Sequence, residues 1–246
     1  MIYHSFAQLY DELFDDQLYL QWRDYTLNRL SPATKSVLDL AGGAGRLACL
    51  LAPTGLDVTV ADFSAEMLSL AGQHATDAGV KLRLVEADMR DLTGLPTYDA
   101  VTCYADSLCY LANLADVQTA FDQVAAHLKP GGKFLFDLIT PYQTDDVYPG
   151  YMYNYEDEDH REAFMWQSFA NDDVDHGVIH ELTFFNRLAN GNYQRVGEIH
   201  FERSYPLATV KAALAASGFH QVKVTADFGK QAIQPDTTRW FFECQK

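Results

Sequence analysis

The sequence predicts an α/β fold: a doubly wound, mostly parallel sheet of seven strands, preceded by helix and interrupted by an antiparallel β insertion. Three observations carry this. Five short β-rich runs between Lys35 and Asp137 alternate with helix-length stretches, the spacing that parallel strands need for right-handed crossovers. The first run breaks into a small-residue turn, Ala41-Gly42-Gly43-Ala44-Gly45, just before a segment of good helix formers. Later, two β-like runs flank Ala189-Asn190-Gly191-Asn192, the turn chemistry of a hairpin rather than a crossover.

The chain of 246 residues is long enough for one sizeable α/β domain with an insertion. Hydrophobic residues make up 48%, so a large core can be buried, and the formal net charge is -16. That charge repels nucleic acid and anionic membrane surfaces and favours neutral or cationic partners. No apolar run reaches membrane-spanning length, and the opening residues are neither basic nor uniformly apolar, so neither a span nor a signal peptide is expected. Cys49, Cys103, Cys109 and Cys244 are scattered without a CxxC pair; they read as buried thiols of a cytoplasmic protein.

Taken in order, residues 1–30 carry Phe6, Leu9, Tyr10, Leu13 and Phe14 at helical spacing, then Tyr19, Trp22, Tyr25 and Leu30. One or two amphipathic helices are expected. Core packing accounts for most of these aromatics, while Tyr3, Tyr10 and Trp22 also suit a lid over a ligand. The first strand ends near Asp39 and Leu40, and its helix stops at Pro53. Residues 56–62 form a second strand, Ser64 caps the next helix, and Gly79 ends it. Third, fourth and fifth strands are predicted over 81–88, 98–106 and 133–137, with a helix over 114–128 running into the stop Lys129-Pro130-Gly131-Gly132. Each strand places an aspartate at or near its carboxyl end, the edge where open α/β sheets bind ligands: Asp39, Asp62, Asp88, Asp106 and Asp137.

Residues 140–160 read as a loop, followed by β-like runs at 163–169, 178–187 and 193–205. A helix over 207–217 and two β-rich pieces, 221–227 and 239–244, then close the sheet as a hairpin. The expected organisation is a core of 1–140 and 205–246, with 1–30 as a helical lid and 141–204 as an insertion roofing the acceptor.

The small-residue turn needs glycine because the backbone turns sharply and lets a ligand touch it. Gly43-x-Gly45-x-x-Ala48 resembles a dinucleotide fingerprint, and the same turn would serve as a plain strand-to-helix connection. Asp39 separates the ligands. It would face a pyrophosphate, and two anions in a desolvated crevice repel; S-adenosylmethionine (SAM) instead brings a sulfonium and an ammonium.

Taken together, LDLAGGAG, VTVADFSAEML, VEADMRDL, YDAVTCYADSLCYL and LKPGGKFLFDL resemble the successive motifs of class I SAM-dependent methyltransferases, a Rossmann-like fold. The likeness runs along nearly the whole chain. It is nearest to small bacterial methyltransferases that begin with a Tyr-Asp-x-Leu segment and carry an antiparallel insertion after the fifth strand. The resemblance implies that Asp39, Ala41, Gly42, Gly43 and Gly45 line the methionine part of SAM and that Asp62 takes both ribose hydroxyls. It further implies that Phe63 and Met67 flank the adenine, with Asp88 and Met89 at its amino edge. Cys103 and Tyr104 would contact the cofactor by backbone, and Asp106 would stand beside the methyl group. Tyr3 and Trp22 join the cofactor-binding set, and Tyr10 joins Asp106 as a catalytic candidate. Ala41 departs from the family pattern, where glycine is usual; only slight crowding is expected if its φ is negative.

Other readings stay open at single positions. Met67 serves equally as core, and Asp106 as a cap for the helix after Ser107. No HExxH occurs, and no metal is expected. The expected reaction is methyl transfer to a small-molecule acceptor, an amine nitrogen before a hydroxyl; a SAM-binding module without turnover is the rival. Nucleic acid and membrane are not expected partners: Asp106-Ser107-Leu108-Cys109 is not the Pro-Pro-Tyr pattern of base methylation. Within the insertion, His180, His200, Glu198 and Arg203 are acceptor candidates, but a one-residue slip in strand phase would reverse which face inward. The sequence leaves the oligomeric state open.

Overall fold

A computed structural model describes residues 15–246. Helix α1 (Asp16–Leu27) starts at Asp15, whose carboxylate accepts from the Gln17 backbone N–H. The sheet then follows as β1 (Ser36–Leu40), α2 (Arg46–Leu51), β2 (Asp57–Asp62), α3 (Ala65–Asp77), β3 (Arg83–Glu86), β4 (Tyr98–Cys103), α4 (Leu114–His127) and β5 (Leu128–Ile139). Ser64 and Asn113 cap α3 and α4 by accepting from the backbone N–H of Met67 and Asp116. After the insertion come α5 (Leu207–Ala216), β10 (His220–Thr225) and β11 (Arg239–Gln245).

The seven strands lie in the order β10-β11-β5-β4-β1-β2-β3, with β11 antiparallel to both its neighbours. β1 pairs in parallel with β2 on one side and β4 on the other. The winding therefore reverses at β1, and the crevice at such a reversal is where open sheets take ligands. Underneath, Leu38, Leu40, Phe121, Phe134 and Phe136 are fully buried, and Phe136 stacks on Phe242 with ring centroids 4.4 Å apart. Each such side chain stabilises the fold by about 1.5–3 kcal/mol, so the strands that present the site rest on a firm base.

Several boundaries differ from the sequence reading. β3 stops at Glu86 and β4 at Cys103, leaving Asp88 and Asp106 on the turns beyond their strands. β5 begins at Leu128, so Lys129-Pro130-Gly131-Gly132 lies in the irregular start of a strand, although α4 does end just before it. Ala41 corrects the premise attached to it: its φ is +52°, a left-handed conformation in which Cβ is strained. Residues 1–14 lie outside the described residues, and with them Tyr3, Tyr10 and most of the expected lid. The described part, α1, is packed into the core rather than standing free as a lid: Trp22 and Tyr25 are buried.

The insertion is a four-stranded antiparallel sheet, β6 (Met152–Glu156), β7 (Glu162–Ala170), β8 (Gly177–Arg187) and β9 (Tyr193–Arg203). β6 falls inside the stretch read as loop. All five of its residues are exposed, so neither face presents the buried apolar set by which a strand is usually read. Val178, His180, Leu182 and Phe184 of β8 are buried, which fixes the inner face to even-numbered residues. Ser168, His180 and His200 are opposite one another across β7, β8 and β9. The sheet leaves the core after Ile139 and returns at Ser204, whose hydroxyl donates to the Ile139 carbonyl at 2.7 Å.

Candidate active site

The turn after β1 is held by local geometry. Ala41, Gly43 and Gly45 all have positive φ, at +52°, +53° and +69°. A Cβ on Gly42 would stand 2.8 Å from Asp39 Oδ2, and one on Gly45 2.9 Å from the Ala71 Cβ, so both must be glycine. A Cβ on Gly43 would meet only Met67 Sδ, at 3.9 Å; this side of the turn is open enough for a ligand. Met67 itself packs against Ala44 and Leu70, so it lines the turn and the core together.

Asp39 is buried. Its Oδ1 accepts from Thr102 Oγ1 at 2.7 Å, while Oδ2 has no hydrogen-bond partner among the described residues. Burial pushes its carboxyl up to about 7, against the Thr102 bond, and Asp62 adds to the rise. Asp62, at the end of β2, accepts from the Gly43 backbone N–H through Oδ2 and the Ser64 N–H through Oδ1, both at 2.9 Å. Burial raises it and these backbone donors oppose the rise. Phe63, next along, is 76% exposed, a flat apolar face waiting for cover. Asp88 is paired with Arg90 at 2.6 Å, which holds its carboxyl below the usual range. Met89 packs against the main core.

These features fit SAM. A buried carboxylate oxygen without a partner suits a cationic head, the open left-handed turn admits close backbone contact, and Asp62 and Phe63 offer a ribose acceptor and an apolar face.

Beyond β4 the carboxylates are handled differently. Cys103 is wholly buried, and Tyr104 shares a hydrogen bond of 2.8 Å between its hydroxyl and Thr26 Oγ1. Ala105 and Asp106 are both left-handed. The Asp106 backbone N–H donates to Asp137 Oδ1 at 2.8 Å, and Arg239 bridges the two carboxylates, 2.9 Å to Asp106 Oδ2 and 3.1 Å to Asp137 Oδ1. Trp22 completes the shell by donating its indole N–H to Asp137 Oδ2 at 2.8 Å. Trp22 is thus an anchor beneath the site; it lines a cavity of about 480 Å³ with Leu18, Ala105, Phe228, Gln231 and Arg239.

The structure therefore gathers Asp39, Ala41, Gly42, Gly43, Gly45, Asp62, Phe63 and Met67 on one side of the reversal, and Trp22, Tyr104 and Asp106 on the other. The sequence reading missed Arg239, Thr102 and Glu202. Arg239 opens the last strand 133 residues from the aspartate it neutralises, a separation across which no local pattern points. Glu202 is buried on the inner face of β9, whereas Glu198 is exposed and the odd-numbered Arg203 stacks over the Tyr205 ring. Strand phase was the missing signal that separates Glu202 from Arg203; Glu198 shares the phase of Glu202 and is nonetheless exposed. Among the described residues no group of His, Cys, Asp and Glu is arranged to hold a metal ion, and no helix is long and apolar enough to cross a membrane.

Comparison with known proteins adds to this geometry. A family model described as a methyltransferase domain matches residues 37–132. YqeM of Bacillus subtilis (strain 168), named as a candidate methyltransferase, is 38% identical over all of this chain and 98% of its own length. The crystal structure of a SAM-dependent methyltransferase from Clostridium acetobutylicum ATCC 824 superposes with a TM-score of 0.84 at 28% identity, covering 98% of this chain and 97% of that one. The glycine/sarcosine N-methyltransferase of Halorhodospira halochloris is 27% identical over 91% of this chain and 81% of its own length. By contrast, a ubiquinone biosynthesis O-methyltransferase of Pectobacterium carotovorum (strain PC1), 38% identical, covers 43% of each chain.

Proposed function

The chain belongs to the class I SAM-dependent methyltransferases, enzymes that move a methyl group from SAM to a small-molecule acceptor, and from that premise we propose that its acceptor is an amine nitrogen. The observation that carries this reading is where the likenesses stop. Similarity to the N-methyltransferase runs through the insertion that covers the acceptor side, while similarity to the O-methyltransferase spans less than half the chain. Fold alone does not set the acceptor, so a likeness that extends into the insertion weighs more than one confined to about half of the chain.

In this reading Asp39, Ala41, Gly42, Gly43 and Gly45 hold the methionine portion of SAM; Asp62 takes the ribose; Phe63 and Met67 flank the adenine, with Asp88 and Met89 at its edge. SAM supplies an activated methyl carbon. The protein's part is to align the acceptor nitrogen with that carbon, a task for which positioning supplies most of the rate. Asp106 does not act as a bare carboxylate that draws in a cation, since Arg239 already holds its Oδ2. It instead fixes the turn at the end of β4 against which the acceptor is oriented. Tyr10 stays a catalytic candidate, and the unpaired cysteines suit the cytoplasm.

The test is an acceptor screen with methyl-labelled SAM, pairing small amines with matching alcohols and carboxylates. Label should pass to amines, and the rate at low acceptor concentration should climb from acid toward alkaline pH, because the nitrogen attacks only after it has lost a proton. Transfer confined to hydroxyl or carboxylate oxygen would sink the reading.

A further inference from the structure

The inner face of the insertion carries a buried polar pair that the cofactor site does not use. His180 of β8 has its ring set by two neighbours: Trp166 Nε1–H donates to Nδ1 at 3.1 Å, and Ser168 Oγ lies 2.7 Å from the same nitrogen. An indole N–H only donates, so Nδ1 must accept, and the neutral ring carries its proton on Nε2. The Tyr148 ring packs edge-on against it, with centroids 4.7 Å apart. His180 Nε2 faces Glu202 Oε1 at 3.6 Å, beyond hydrogen-bond reach.

Glu202 is therefore the carboxyl with capacity to spare. Its side chain is 6% exposed, and Oε2 has no hydrogen-bond partner among the described residues. A buried carboxyl oxygen left this way is costly unless a ligand completes it. The titratable and charged groups around it are His180 from β8, Asp106, Cys109 and Tyr110 from the turn after β4, Tyr148 from the entry to the insertion, and Arg239 from β11. Arg239 is committed to Asp106 and Asp137, so the nearby cation is already shared by two other carboxylates.

We propose that Glu202 is the base of the acceptor site: it binds the acceptor as an ammonium and takes one proton from it before the nitrogen attacks. The inference rests on the amine reading above. Atoms and charges balance as follows. The ammonium passes a proton to Glu202 Oε2, giving a neutral amine and a carboxylic acid. The nitrogen lone pair then forms the N–C bond while the electrons of the C–S bond leave with sulfur. The methylated ammonium departs, and the carboxylic acid returns its proton to solvent. Environment suits Glu202 to this task. Burial, with the Asp106 charge adding, pushes its carboxyl up to about 8, against Tyr110 and Arg239, which narrows its mismatch with an aliphatic ammonium. His180 does not compete for the proton, because burial drives it down to about 4.

Two measurements test this. Carboxyl-carbon NMR of the S-adenosylhomocysteine complex should show Glu202 titrating near pH 8, and saturating methylammonium should lower that midpoint. A midpoint in the ordinary carboxylate range, or one that methylammonium leaves unmoved, overturns the proposal. Kinetics with methyl-labelled SAM and whichever of glycine, sarcosine, ethanolamine or glucosamine is methylated then give the second reading. Glu202→Gln should lower kcat/KM for the amine by about 10²-fold and abolish its rise around pH 8, with Glu202→Asp restoring part of both. S-adenosylhomocysteine affinity should stay within about twofold, which also shows that the variant is folded. An amine methylated by Glu202→Gln with unchanged kinetics overturns the role of Glu202 and leaves the amine reading standing. Methylation of hydroxyls alone overturns both.

Discussion

On the cofactor side of the sheet, Asp62 is neutralised by the backbone N–H groups of Gly43 and Ser64, and Asp88 by Arg90 two residues away. Beyond β4, on the side where the acceptor is proposed to bind, Asp106 and Asp137 share Arg239, which reaches them from the far end of the chain. The first arrangement is local: Asp62 is buried but tied to the adjacent backbone, and the Asp88–Arg90 pair is open to water, 43% and 45% exposed. The second is long-range and buried, with Asp137 fully enclosed. One side spends its sequence on backbone conformation, the other on matching charges across the fold. The two should fail in different ways.

The largest effect is expected from breaking the charge match. Arg239→Met leaves two carboxylates facing each other with one of them buried, which should cost about 2–4 kcal/mol, less than a wholly enclosed pair because the guanidinium is partly exposed. The denaturation midpoint should fall by roughly 5–12 °C. Arg90→Met, the same chemistry on the exposed side, should leave the midpoint where it is. Equal losses in the two variants, read by thermal melts, would erase the distinction between the halves.

Next comes Asp62→Ala. It removes the proposed ribose acceptor, a charge-assisted contact of about 1.5–3 kcal/mol in the complex, and unties the Gly43 N–H, a bond that is already made in the free protein. S-adenosylhomocysteine binding by calorimetry should weaken by about 10- to 100-fold. A folded Asp62→Ala protein with native affinity would move the ribose contact elsewhere.

The same division decides what could be read from the sequence. The turn Ala41–Gly45, the aspartates at or near the strand ends and the Ser64 cap are local, so period and turn chemistry reveal them, and the parallel sheet follows from their repetition. Arg239 and Glu202 are placed by sheet order and strand phase. β11 slots between β5 and β10, and β9 presents Glu202 rather than Arg203 inward, two facts set by long-range pairing. Trp22 was legible as an aromatic on an amphipathic helix but not as the donor to Asp137 115 residues away. Ala41 was legible as a departure from glycine, but the sign of its φ was not.

A smaller effect separates the halves by pH. Asp39 is held near 7 in the free protein by burial, so it binds a proton that an unfolded aspartate has already lost. Its contribution to stability is present at acid pH and declines as pH rises from the ordinary carboxylate value through about 7. Binding a cationic ligand favours the ionised form and releases that proton. SAM affinity should therefore rise with pH by about five- to tenfold between pH 6 and 8 and then level off. Asp39→Asn should flatten the curve. A pH-independent affinity in the native protein would show that Asp39 does not face the cationic end of SAM.

The smallest expected effect is at Ala41, the one residue where the cofactor side departs from its own economy of glycines. An alanine in the left-handed region costs about 1–2 kcal/mol relative to the right-handed one, a cost glycine does not bear. Ala41→Gly relieves that strain but gives the unfolded chain more freedom, worth about 0.4–1 kcal/mol in the opposite direction. The balance is a gain of about 0.5 kcal/mol, visible as a rise in the urea midpoint at constant m-value. The methyl group also packs against the main core, and its removal forfeits part of that gain. If packing dominates, Ala41→Gly will be less stable than the native protein, and the left-handed turn is then held by the contact of this methyl rather than tolerated in spite of it. SAM affinity measured on the same variant completes the comparison. A change confined to stability assigns Ala41 to the scaffold, whereas tighter binding at unchanged stability assigns it to the ligand cradle.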